Sequence, residues 1–207
     1  MKKHSFISIT LLLICLVTFM TTMTTTVNAD LIGKDGKLIA KTTVKPKITL
    51  EEFKVLWEKE GKTPQGAVKC LLIAALETVK EGNKDGKKMW AMVIPKSQVK
   101  QNGEPENSHS FAMGQFARVI KGTKFRGAIA ASYLGGTPEN GYKYSYDNNV
   151  VIDRSNIKGN DAKIFFKSGG KGFASPVRLR RNKHGYWKIF EYSSLYTGVK
   201  PIKDGDF

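Results

Sequence analysis

The chain has 207 residues and carries 34 Lys and Arg against 18 Asp and Glu, a formal net charge of +16. With 41% hydrophobic and 10% aromatic residues it can fill a packed core, which excludes a disordered polymer. Two cysteines exclude a disulfide scaffold, and beyond the N-terminus no apolar run approaches the ~20 residues of a membrane span.

Residues 1–29 read as a signal peptide. Lys2, Lys3 and His4 give a basic start, residues 7–20 are mostly apolar, and a Thr-rich spacer leads to Val27-Asn28-Ala29. The chain is therefore expected to be exported, periplasmic or extracellular, after cleavage near Ala29. Cys15 lies deep inside the apolar stretch behind Ile14, which does not suit lipidation. Removal of residues 1–29 takes away two lysines and no acid, leaving +14 on the remainder. Residues 30–48 form a basic extended arm, and residues 49–207 a single domain.

Helical signals open that domain. Thr49 with Glu52 fits a capping box, followed by Phe53, Leu56 and Trp57 on one face and a stop at Gly61. Thr63-Pro64 starts a second helix whose apolar positions run from Ala67 to Val79, with Cys70 among them as a buried, inert thiol. Residues 85–94 predict a short third helix with Met89, Trp90 and Val93 inward, and residues 108–121 a fourth with Phe111, Phe116, Val119 and Ile120 as its apolar set. Then the period changes. Residues 124–134, the alternating Tyr142, Tyr144 and Tyr146, residues 150–153 and residues 162–167 predict strands. A hairpin closes the chain, with residues 176–181 and 186–192 around a turn at Asn182-Lys183-His184-Gly185. Helices first and strands last predict an α+β fold, with N-terminal helices packed on an antiparallel sheet.

TPQGAVKCLLIAALETVKEGN (63–83) resembles the opening helix of nuclear-transport-factor-2-like domains, and PVRLRRNKHGYWKIFEYSSL (176–195) resembles their closing hairpin. The ending GYWKIFEYSSLYTGV is also similar to that of an uncharacterised family of secreted bacterial proteins carrying a domain of unknown function. The first resemblance implies a cone-like curved sheet with helices against its concave face and a pocket between them. It implies no activity, because that superfamily hosts enzymes and plain binding modules alike.

No catalytic, metal or cofactor set emerges from the residues. His109 and His184 stand apart from any Cys and read as solvent-exposed, and no HExxH, CxxC, GxSxG or calcium loop occurs. Residues 167–172 (KSGGKG) fail the phosphate-loop pattern and read as a hairpin loop. Asp147, Asp153 and Glu191 are the acids near strands, and Glu191 reads as an edge salt bridge. The basic side chains carry the functional signal: Arg178 and Arg180 fall on one face of their strand, Arg181 on the other, and Lys183 in the adjoining turn. Two readings follow. The first is a non-enzymatic binding module whose Arg178, Arg180, Arg181 and Lys183 attract an anionic envelope polymer, lipid headgroup or acidic protein, with nucleic acid ranked below these for an exported chain. The second is a small-molecule-binding or catalytic pocket lined by Trp57, Trp90, Phe116 and Tyr144. An inhibitor or immunity protein for an envelope enzyme is a third, weaker alternative.

Overall fold

Capping chemistry sets where the helical half begins. The computed structural model of the chain describes residues 48–80, 83–123 and 125–202, so the expected signal peptide and all but the last residue of the expected arm lie outside the described residues. The described residues fall within one unit, Lys45–Phe207. The Thr49 hydroxyl accepts from the Glu52 amide at 3.2 Å while the Glu52 carboxylate accepts from the Thr49 amide at 2.8 Å. This reciprocal pair opens α1 (Leu50–Glu60), which buries Phe53 and Trp57. Thr63 and Pro64 open α2 (Pro64–Val79), and Gly66 lies so close to the Glu60 carbonyl that a Cβ would meet it at 2.1 Å. Every residue of α2 from Gly66 to Glu77 is buried. This is a fully enclosed helix rather than one with a single apolar stripe. α3 (Gly86–Val93) turns Met89, Trp90 and Val93 inward as the spacing predicts.

The middle of the chain departs from the expectation. The fourth helix is short, α4 (Ser110–Phe116), after a 3₁₀ turn at Asn107–His109. It ends before Val119, so helical spacing no longer assigns that residue a face; Phe111 and Val119 are exposed, while Phe116 and Ile120 are buried. In place of a strand over 124–134 there is the single turn of α5 (Ala128–Ala131), entered through Gly127 at φ 98°. Tyr142, Tyr144 and Tyr146 belong to no strand, and Tyr142 sits at φ 59°. Their alternation answers to separate partners: Tyr144 lies beside Tyr146 at 5.7 Å between ring centres, Tyr146 bonds Glu77 of α2, and the Tyr142 hydroxyl bonds the Lys200 carbonyl.

The four strands form an open antiparallel meander in the order β1 (Val151–Lys158), β2 (Asp161–Lys167), β3 (Ser175–Arg181) and β4 (Trp187–Glu191). The α+β architecture expected from the sequence is the architecture present. Ala162, Ile164 and Phe166 of β2 alternate inward with Val177 and Leu179 of β3 and Ile189 of β4, joining the helices in one core. The register sets Lys163 opposite Arg178 and Asp161 opposite Arg180 on the other face. Bulges interrupt β1 between Ile152 and Arg154 and the β3–β4 pair at Phe190.

The outer strands end the sheet in different ways. Beside β4, the Trp187 amide donates to the Gly61 carbonyl at 2.8 Å, Trp57 stacks on Tyr186 at 5.6 Å, and the Lys188 ammonium bonds the Met92 carbonyl. β1 pairs with β2 alone and is exposed along its whole length. Among the described residues, no helix is long and apolar enough to cross a membrane.

Candidate functional site

The face of the sheet turned away from the helices is polar and cationic. Arg154, Lys158, Lys163, Lys167, Arg178 and Arg180 occupy it, against Asp153, Asp161 and Glu191. A shallow groove of about 580 Å³ runs across all four strands, from Asn156 and Lys158 through Lys163, Arg178 and Arg180 to Phe190. Two rings stand among the charges. The Arg154 guanidinium lies 3.8 Å from the centre of Phe165, with the Lys163 ammonium 5.4 Å away, and Arg180 lies 5.5 Å from Phe190. The bulge leaves Phe190 outside the paired register, with its ring exposed.

The internal ion pairs of this face are superficial. Arg180 meets Asp161 at 2.7 Å and Arg178 meets Glu191 at 3.5 Å, with all four side chains more than half exposed. Such pairs contribute at most about 1 kcal/mol each and exchange readily for an incoming anion. Glu191 thus forms the edge salt bridge expected of it, and the bulge turns it away from the core face that simple alternation from Trp187 and Ile189 implies.

Arg178 and Arg180 share the groove, as alternation along β3 requires. Arg181 stands on the opposite face, 5.8 Å from the Trp187 ring and bonded to the Asn160 side chain at 3.1 Å. Lys183 is exposed in the β3–β4 turn. Trp57, Trp90 and Phe116 are packed into the core, Trp90 edge-on to Phe116 at 5.7 Å, and Tyr144 is half-buried against Phe125 and Tyr146. None of these four rings lines the groove. The residues that sequence reasoning missed, Arg154 and Phe165, are set opposite each other beside the β1 bulge, which hydrophobic periodicity does not reveal.

Three polar clusters lie in the interior. Lys171 turns inward from the 167–172 loop, its ammonium 2.8 Å from each of the Tyr133 hydroxyl, the Ser194 carbonyl and the Thr197 hydroxyl, and 3.1 Å from the Leu195 carbonyl. Burial lowers it to about 8. The adjacent Ser175 hydroxyl, 3.3 Å from this amine, is fully buried and meets no solvent. The amides of both central glycines are engaged as well, Gly169 with the Ser132 carbonyl and Gly170 with Ser168. Glu77, wholly buried on α2, accepts from Tyr146, Lys80 and Asn83, each at 2.6 Å. His109 is also buried, contrary to the expected exposure. Its Nδ1 lies 2.5 Å from the Tyr192 hydroxyl, a partner far away in the sequence, and desolvation holds its pKa below the usual imidazole value. Burial likewise pushes the Cys70 thiol up. Among the described residues, no group of three or more His, Cys, Asp and Glu side chains is placed to hold a metal.

A helical layer on one face of an open antiparallel sheet, with a cationic groove on the other, defines the chain as an α+β domain with an exposed sheet surface. It belongs to the family of a domain of unknown function, DUF6935, whose family model matches residues 46–203. No curated protein and no solved structure matches it.

Proposed function

We propose that the chain is an exported, non-enzymatic binding module that holds an anionic partner on the outer face of its sheet. The observation that carries this reading is the groove itself, in which cations from β1, β2 and β3 accompany the exposed Phe190 ring and only weak surface pairs compete. Such a face raises the local concentration of anions and speeds their association, with strong dependence on salt. Export is proposed on the basic, apolar and small-residue order of residues 1–29.

The test is charge reversal. Arg178→Glu, Arg180→Glu and Lys183→Glu together are expected to weaken retention on a sulfated polysaccharide matrix or on anionic vesicles by at least about tenfold, while circular dichroism stays unchanged. Retention of the wild-type chain should fall as salt rises. Equal retention of the wild-type and triply reversed chains would sink the reading.

A further inference from the structure

We propose that β1 is a docking edge for an extended acidic segment of a partner protein, which joins the sheet as a fifth strand beside residues 154–158. The proposal rests on the reading of the outer face as an anion site and names the kind of anion. Three features of β1 lead to it.

The first is its backbone. β1 and β2 are joined by the two-residue turn Gly159-Asn160, with Lys158 opposite Asp161. That turn makes Lys158 and Asp161 a hydrogen-bonded pair, so the alternation of an antiparallel ladder directs the amides and carbonyls of Ser155 and Ile157 to the free side. Another polypeptide strand satisfies such a row in register, which a polysaccharide or a lipid headgroup does not.

The second is an apolar ledge on the inner face of the same strand. Ile152 stands opposite Phe166 and Ile157 opposite Ala162, both partners buried, yet Ile152 is 37% and Ile157 51% exposed. The helical layer stops short of them. Every second side chain of an added strand would cover this ledge and extend the core.

The third is charge. On the outer face the same strand presents Arg154 and Lys158 against Asp153, whose charge is shared by Arg154 at 2.9 Å and Lys167 at 3.6 Å; the balance stays positive, so the remaining side chains of the added strand are best acidic. This selects the occupant. A second copy pairing antiparallel through β1, with like faces aligned, would gather the Arg154 and Lys158 side chains of both copies on one side, a repulsive arrangement. The chain's own residues 34–47 contain Lys34, Lys37, Lys41, Lys45 and Lys47 against one Asp35, and would meet the same repulsion.

The experiment measures fluorescence anisotropy of the full chain with a labelled peptide alternating Glu and Val, its Lys and Val counterpart, and the Glu peptide N-methylated at alternate amides. The Glu peptide should bind and the Lys peptide should not. N-methylation should weaken binding at least about tenfold, because it removes the pairing donors and leaves the charge. Ser155→Pro should abolish binding with an unchanged melting temperature, since proline is tolerated on an edge where the lost donor faces outward. Arg154→Glu with Lys158→Glu supplies an independent check, and should exchange the preference so that the Lys peptide binds. If the N-methylated peptide binds as tightly as the parent, charge alone holds it: strand addition is overturned and the anion-binding face stands. If the Glu peptide fails to bind while sulfated polysaccharide is retained, strand addition is overturned likewise. Peptide binding without polysaccharide retention would support strand addition and restrict the anionic partner to polypeptide. Dimerisation abolished by Ser155→Pro would replace the acidic partner with a second copy and overturn the proposal.

Discussion

β1 and β4 are the two ends of one sheet, each paired antiparallel with a single neighbour, yet they meet different surroundings. At β4 the chain supplies its own cover: the Gly61 carbonyl takes the Trp187 amide, Trp57 lies on Tyr186, and Lys188 reaches over the Trp57 ring at 4.8 Å to the Met92 carbonyl. At β1 nothing among the described residues covers either face. An exposed edge is a liability that proteins blunt with charge and bulges, and β1 carries both, in Arg154, Lys158 and the irregularity at Asp153. Those devices oppose pairing with a like strand. They do not oppose pairing with an acidic one. The difference separates an edge closed for stability from an edge kept open but selective.

Substitutions at the two edges should therefore have very different costs. The largest effect is expected at the closed edge. Trp57→Ala removes a ring that is 6% exposed, together with its stack on Tyr186, and should destabilise the domain by about 3–5 kcal/mol, read as a lower urea midpoint with an unchanged slope. Lys188→Met comes next. It removes a bond to the Met92 carbonyl and the contact with Trp57 but also the penalty of burying an ammonium, so its net cost at neutral pH should stay below about 1 kcal/mol. Burial lowers Lys188 to about 8, from an ordinary value of 10.5. Between those values the unfolded chain binds the proton more firmly than the folded one, so wild-type stability gains from Lys188 as pH climbs through this window. Urea midpoints at about pH 8 and about pH 9.5 should show a smaller rise for Lys188→Met than for the wild type, with the Lys171 share retained. The smallest effect belongs to the open edge: Ile157→Ser should change stability by less than about 0.5 kcal/mol while weakening capture of the acidic peptide. A cost at Ile157 as large as that at Trp57 would mean that β1 is covered after all.

How much of this was legible in the sequence depended on the range over which each element is decided. The caps at Thr49 and Thr63, the α2 run and the closing hairpin are local events, and residue type and spacing set them. The stretch from 124 to 146 misled because its pattern answers to distant partners. The alternating tyrosines read as a strand, but Tyr146 is aimed at Glu77 and the Tyr142 hydroxyl at the Lys200 carbonyl. His109 read as exposed because Tyr192, which shelters it, lies 83 positions away. At the candidate site, alternation placed Arg178 and Arg180 together and Arg181 apart. It could not place Glu191 or Arg154, since each depends on one extra residue in a strand.

The complete burial of α2 has a consequence for the order in which the molecule forms. The nucleus of the helix is local, but part of its cover is β4, whose residues follow far along the chain. Until that hairpin arrives, α2 has no arrangement that shields its full circumference from water. Folding of the first half is therefore contingent on the last, which raises the contact order and lengthens the interval in which an apolar helix stands uncovered. A chain truncated before Trp187 should collapse around α2 without settling into the native packing, and a holdase that binds apolar helices would find its target there.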